Sequence, residues 1–370
     1  MFLIKKEKSH TSCSIVPNPM TQTNVENLLA QEYTNLEPRL RQMLDEFPKF
    51  REEILPSKYW EVLNERNLKQ ISESSYENFK RTVARNYFTF IVQPWNRQIR
   101  FLMRSLPLGQ AISTYLGAFF APHHDILKWS QSIYYNVLTK LLWSYVEKID
   151  SEKLLERLSE PLEGNPPRVY QGDRLISQDL ANSFLEYVAV MQADVEHSEI
   201  RTIMELGSGY GRTAYVYLTL NPECRYVLVD IPPALYICEK YLSDVFKDRK
   251  IFRFRPFESY EDIREEYEKS DIVFLMPNQL ELLPEKSIDL FINISSLHEM
   301  RIDQIRYYFD VMEKLTRKYF YTKQWKESSI PHENVVIRQE DYPVDPSWRQ
   351  IYSRECQVQE SFFEDLYDLS

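Results

Sequence analysis

Between residues 24 and 160 apolar side chains recur at intervals of three and four. Tyr33, Leu36, Leu40, Met43, Leu44 and Phe47 keep that spacing, which places them on one face of a helix. Pro38 suits the first turn of a helix better than its interior, so this helix is expected to begin near it. Tyr76, Phe79, Val83 and Tyr87 repeat the pattern, as do Ile126, Trp129, Ile133, Leu138, Leu141 and Leu142 with more scatter. No stretch here alternates for long in the manner of a strand, and no internal repeat occurs. Segment 24–165 is therefore expected to be an all-helical amino-terminal domain.

Three prolines and a glycine between Pro161 and Tyr170 break the pattern. Asp179 to Met191 resumes it through Leu180, Phe184, Tyr187 and Val188. From residue 200 short apolar runs alternate with helical stretches. Ile200–Leu206, Tyr226–Asp230, Asp271–Met276, Ile288–Ile294 and Tyr319–Trp325 read as strands. Thr213–Leu220, Pro233–Phe246 and Asp303–Leu315 read as helices between them. Such alternation predicts a parallel α/β sheet over residues 166–370, with its ligand beyond the carboxyl ends of the strands.

Composition narrows the function. With 43% hydrophobic and 27% charged residues, a packed globular chain is expected. The net charge of -10 argues against a broad nucleic-acid-binding face, although a local basic cleft is compatible with it. No run is long and apolar enough for a membrane span, and residues 1–23 read as a frayed tail without the order of a secretory signal. Cys13, Cys224, Cys238 and Cys356 are scattered without CxxC spacing, as expected of reduced thiols in a cytoplasmic protein. A homo-oligomer is left open.

Only seven glycines occur in the chain, and Gly207, Gly209 and Gly211 fall within five positions. They belong to Glu205-Leu-Gly-Ser-Gly-Tyr-Gly211, which follows a strand and opens a helix. Glycines let that turn press against a ligand, and the helix start offers unpaired N–H groups. Asp230 ends the next strand, where a carboxylate can accept hydrogen bonds from both ribose hydroxyls. The spacing is G-x-G-x-G, not the dinucleotide G-x-G-x-x-G. Glu205 would repel a pyrophosphate but suits a ligand bearing an ammonium and a sulfonium. The pattern resembles that of the class I methyltransferases, which use S-adenosyl-L-methionine. Gly207, Ser208, Gly209, Gly211, Asp230, Ile231 and, at the end of the fourth strand, Asn293 are the expected cofactor residues with Glu205. Asn278 or Gln279 can read an adenine edge, or belong to a solvated turn. Ser177 or Gln178, thirty residues before the loop, can fold over the cofactor and touch its carboxylate.

A narrower resemblance rests on Arg174-Leu-Ile-Ser-Gln-Asp-Leu-Ala-Asn-Ser-Phe-Leu185, Ile203–Thr213, Val229-Asp-Ile-Pro-Pro-Ala-Leu235, Phe274–Pro284 and Leu290-Phe-Ile-Asn-Ile-Ser-Ser-Leu-His-Glu-Met300. These segments are similar to the sugar O-methyltransferases of bacterial surface-polysaccharide clusters. The resemblance covers roughly residues 170–300. It implies a Rossmann-like methyltransferase domain and methylation of a sugar hydroxyl, on a nucleotide sugar or on a polysaccharide or lipid-linked glycan precursor.

Transfer to an alcohol needs a base for the hydroxyl proton. His298 is the first choice, as base, substrate contact or packing residue, and Glu299 either orients it or is the base itself. Lys80, Arg81, Arg85 and Trp60 suit a phosphorylated sugar, or are an ordinary charged helical surface. His123-His124-Asp125 makes a poor metal pair, because adjacent histidines on a helix face apart. Glu340, Asp341 and Asp345 can supply carboxylates for Mg2+, but no metal is assigned. Competing readings are a methyltransferase of another small metabolite and a non-catalytic cofactor-binding partner in glycan assembly. Nucleic acid as substrate is disfavoured by charge and by the lack of an Asn/Asp-Pro-Pro-Tyr/Phe motif.

Overall fold

The computed structural model describes residues 36–82, 95–120, 129–330 and 335–370. In chain order the helices are α1 (Pro38–Glu46), α2 (Lys58–Ser74), α3 (Trp95–Ser105), α4 (Leu108–Phe119), α5 (Trp129–Ile149), α6 (Gln178–Met191), α7 (Arg212–Leu220), α8 (Ala234–Val245), α9 (Arg264–Lys269) and α10 (Ile302–Leu315). The strands are β1 (Val169–Gln171), β2 (Arg174–Ile176), β3 (Thr202–Leu206), β4 (Arg225–Val229), β5 (Ile251–Phe252), β6 (Ile272–Leu275), β7 (Ile288–Ile294), β8 (Thr316–Trp325), β9 (Glu327–Ile330), β10 (Val335–Arg338), β11 (Arg349–Glu355) and β12 (Phe362–Asp368).

Eight strands form the main sheet in the order β11-β12-β8-β7-β3-β4-β6-β5. Six of them, from β5 to β8, pair in parallel, and β12 runs antiparallel between β8 and β11. Every residue of β6 and β7 is buried. This is what a sheet covered by helices on both faces requires, and why those strands read as continuous apolar runs. From β3 the chain crosses to β4 on one side and returns to β7 on the other. The carboxyl end of β3 is therefore a topological switch point, where such sheets form a crevice.

The five strands and the helices expected between residues 179 and 325 are all present, with ends shifted by up to three residues. The reversed edge was not expected. Strand β12 carries Glu364 and Asp365 in buried positions, which masks it from any apolar pattern. Both are satisfied locally: Tyr321 Oη donates to Glu364 at 2.9 Å, Arg354 Nε at 2.7 Å, and Tyr367 Oη donates to Asp365 at 3.0 Å. The β1–β2 hairpin lies in the proline-rich break and just beyond it.

The chain on either side of the boundary expected at residue 165 packs together. Pro38–Ser370 forms one compact unit. Arg39 makes two hydrogen bonds, of 2.7 and 2.6 Å, to the Glu239 carboxylate of α8. Lys80 pairs with Glu160, both almost fully buried, and α5 packs along α6. The expected tail 1–23 and His123, His124, Asp125 and Arg85 lie outside the described residues. Tyr76–Arg81 is a short 3-10 segment, tighter than the α-helix expected there. Cys224, Cys238 and Cys356 are buried free thiols.

Candidate functional site

At the end of β3 the backbone turns back through Gly207, Gly209 and Gly211, all with positive φ. Gly207 has a second reason to be glycine, since a Cβ there would overlap the Ser296 side chain. Gly211 starts α7, and a Cβ would press on Cys238 and Leu242 of α8. The loop is tied to the neighbouring strand by Gly207 N–H donating to Val229 O at 2.8 Å.

Asp230 follows β4 directly. Its Oδ2 accepts from Gly209 N and its Oδ1 from Ile231 N, each at 2.7 Å. Burial pushes this carboxyl up to about 7, against the two backbone N–H groups, which favour the charged form. It closes one wall of a narrow cleft of about 80 Å³. Leu206, Gly207, Gly209 and Ile231, from the ends of β3 and β4, line the cleft together with Ile294, Ser295, Ser296, Glu299 and Met300, from the end of β7 and the turn after it. Pro277, Gln304 and Tyr308 complete the base, and Ile54, Pro56, Ser57 and Trp60 roof it.

The roof is a strap held to segment 299–304. Ser57 Oγ donates to Glu299 O at 2.9 Å, Gln304 Nε2 to Leu55 O at 2.7 Å, and Arg301 to Leu55 O and Glu52 O at 2.9 and 3.0 Å. Trp60 also hydrogen-bonds the Glu299 side chain. Ile54–Ser57 were not legible as site residues, nor were Gln304 and Tyr308. They lie far from the glycine loop in sequence and carry no local motif.

Several expected site residues are hydrogen-bonded or packed within the fold. Glu205 is only 2% exposed and is not among the residues lining the cleft. Its Oε2 accepts from Tyr226 Oη at 2.9 Å, and burial pushes the carboxyl up to about 8 although Arg212 opposes the shift. Ser177 caps α6 by accepting from Leu180 N at 2.9 Å and donates to Glu160 at 2.5 Å. Gln178 is buried on the same helix, away from the cleft lining. Ser208 packs beside Cys238. Gln279 has its amide consumed, accepting from Met276 N at 2.9 Å and donating to Arg255 O at 2.8 Å. Asn278 stays exposed beside Pro277. Asn293 is fully buried and staples strand ends, donating to Leu206 O at 2.8 Å and accepting from Gln324 Nε2 at 2.6 Å.

The His298 ring is buried, with Nδ1 2.9 Å from Gln324 Oε1, Nε2 3.8 Å from Glu299 Oε1 and edges against Trp325 and Phe362. Burial depresses its pKa to about 3, far below the range that serves a base at neutral pH. Glu299, the next residue, faces the cleft. Burial pushes its carboxyl up to about 8, with Asp230 adding to the shift and the Trp60 hydrogen bond opposing it. Among the cations proposed for phosphate, Lys80 is engaged by Glu160 and Arg81 donates to Asn165 O at 2.6 Å. Asp341 and Asp345 each accept from backbone in their own turns.

A scan against protein-family models finds no match, and a search of curated proteins finds none. Solved structures similar to the chain include a SAM-dependent methyltransferase from Aquifex aeolicus, 12% identical over 61% of this chain and 98% of that one, with a TM-score of 0.32. Another is an S-adenosylmethionine-dependent methyltransferase from Clostridium acetobutylicum (12% identity, 51% and 98% coverage, TM-score 0.32). A third is an arsenic(III) S-adenosylmethionine methyltransferase from Chlamydomonas reinhardtii (16% identity, 50% and 73% coverage, TM-score 0.31). At these values the likeness assigns no function to this chain.

Proposed function

We propose that this chain is an S-adenosylmethionine-dependent methyltransferase acting on a hydroxyl of a sugar-containing acceptor, a nucleotide sugar or a glycan precursor. One observation carries the reading. The charged residues lining the switch-point cleft are Asp230 and Glu299, with no lysine, arginine or histidine among the lining residues. Two carboxylates beside a glycine turn would repel the pyrophosphate of a dinucleotide. They suit a nucleoside with ribose hydroxyls and a positive charge.

Asp230 keeps lone pairs beyond its two backbone N–H contacts, and these would accept from the ribose. Gly207, Gly209 and Ile231 would meet the nucleoside through backbone, and Pro277, which lines the cleft, with Asn278 beside it would meet its base. S-adenosylmethionine, when bound, supplies an electrophilic methyl group. Glu299 then takes the proton from the acceptor hydroxyl onto its carboxylate, in the ionised form that a raised pKa makes basic. Trp60 offers an aromatic face for a sugar ring, the kind of apolar wall that ligand sites share.

Two measurements test this. In calorimetry S-adenosylhomocysteine binds with one site per chain and NAD gives no heat; the reverse result overturns the reading. Methyl-labelled cofactor, incubated with a panel of nucleotide sugars and glycans, transfers label to a sugar hydroxyl. Transfer only to non-sugar metabolites would remove the sugar part.

A further inference from the structure

Helix α4, Leu108–Phe119, contains no charged residue. It packs on α5 and buries only Ala111 and Ala118. Its outward side holds Leu108, Ile112, Tyr115 and Leu116, and Phe120 follows at its end. The first three lie at i, i+4 and i+7 with Leu116 beside them, so they share one face. Leu108 is 74% and Phe120 79% exposed. These five are the majority of the nine large apolar side chains left exposed among the described residues. A contiguous exposed patch of this kind marks an interaction surface.

The charge around the stripe says what covers it. Between Glu77 and Asp125 the sequence has no Asp or Glu, although 55 occur in the chain, while Lys80, Arg81, Arg85, Arg97, Arg100 and Arg104 fall in that interval. Arg100 and Arg104 are exposed on α3, directly before α4 in the chain. Lys148 donates to Ser105 O at 2.7 Å and adds a cation at the turn joining the two helices. Arg97, also on α3, lies 3.8 Å from Glu360, and Glu147 and Asp150 flank Lys148 in the sequence.

We infer that the α3–α4 hairpin docks on a membrane surface bearing anionic lipid headgroups, with the α4 stripe entering the headgroup–acyl boundary and Arg100, Arg104 and Lys148 meeting the headgroups. Helices lying in the interface plane combine an apolar face with basic residues; here the apolar face is on α4 and the arginines are on α3, the helix before it. No helix among the described residues is long and apolar enough to cross a membrane, so the contact is peripheral. A second copy of the chain fits less well. A two-fold contact through α4 would bring both copies' arginines into one interface, where like charges oppose association. The inference is independent of the chemistry proposed for the cleft.

The test is cosedimentation of the full chain with phosphatidylcholine vesicles, with and without phosphatidylglycerol. The protein is expected to pellet with the anionic vesicles only, and less at high salt. Ile112→Glu with Leu116→Glu abolishes pelleting. Arg100→Glu with Arg104→Glu weakens it at least about tenfold, since each basic residue near an anionic surface contributes roughly a fivefold gain. Tyr115→Trp keeps an aromatic residue in place, and its emission, taken as the difference from the wild type with its six tryptophans, shifts to the blue on anionic vesicles even if the glutamate variants fold poorly. The inference is overturned if anionic vesicles neither pellet the protein nor shift that emission, or if neither double variant changes pelleting. It is equally overturned by a dimer in sedimentation equilibrium that Ile112→Glu with Leu116→Glu splits while vesicle binding is absent.

Discussion

Replacing Glu299 by Gln removes the ionisable group from the cleft and keeps its shape and its hydrogen bond from Trp60. The wild-type carboxyl is held up at about 8. Well below that value its ionised fraction, and hence kcat/KM, which reports the free enzyme, rises about tenfold per pH unit, reaching roughly a tenth of its plateau at pH 7. Glu299→Gln should lower kcat by about 10²–10⁴-fold, the usual loss of a general base, and abolish this acidic limb. Binding of S-adenosylhomocysteine should persist, because Asp230 remains. The same pKa has a consequence for stability. The folded value lies above the unfolded one, so protonated Glu299 favours the folded state below about pH 4.5. That contribution is lost as pH rises towards 8, by roughly 1.4 kcal/mol for each pH unit crossed. The Gln variant should therefore unfold at a higher temperature than wild type at pH 8, and the gap should close near pH 5. The assays are label transfer to the sugar acceptor across pH 5.5–9 and thermal unfolding at both ends. A limb that survives in Glu299→Gln, or one centred near 6.5 and lost in His298→Asn, would refute the assignment of the base.

Asp230→Ala removes a charged acceptor, worth roughly 1.5–3 kcal/mol per hydrogen bond, so titration with S-adenosylhomocysteine should show affinity about 10- to 150-fold weaker. Gly207→Ala places a Cβ at positive φ and against Ser296; denaturant unfolding should show a loss of more than about 1 kcal/mol, and an unchanged midpoint would mean the loop relaxes freely. Lys80→Met strands the buried Glu160 carboxylate, which also accepts from the Ser177 cap of α6, at a cost of about 3–5 kcal/mol. Replacing both partners with Leu should recover much of that stability, and failure to do so would show that packing, not the stranded charge, is the cause.

The pattern of apolar positions was enough to locate five of the six parallel strands and the helices between them, because a strand covered on both faces must be apolar at nearly every position; the two-residue β5 was too short to show it. The glycine loop and Asp230 were legible for a related reason. Positive φ and close backbone approach need glycine, and the strand end opposite needs a group that satisfies the loop's N–H donors. Strand β12 was not legible, because its buried Glu364 and Asp365 are neutralised by Tyr321, Arg354 and Tyr367, partners that only folding brings near. The roles of neighbouring residues were likewise undecidable from their order. His298 and Glu299 adjoin in sequence and approach to 3.8 Å, yet one ring packs against Gln324, Trp325 and Phe362 while the next side chain lines the cleft. Burial then drives their pKa values in opposite directions, down for the imidazole and up for the carboxyl. The Ile54–Trp60 roof, about 150 residues from the loop it covers, depends on hydrogen bonds from Arg301 and Gln304 to backbone carbonyls, which no residue pattern announces. Periodicity and glycine placement are local properties of a chain; which side chain ends up facing solvent, a partner or a ligand is settled only when distant segments share one surface.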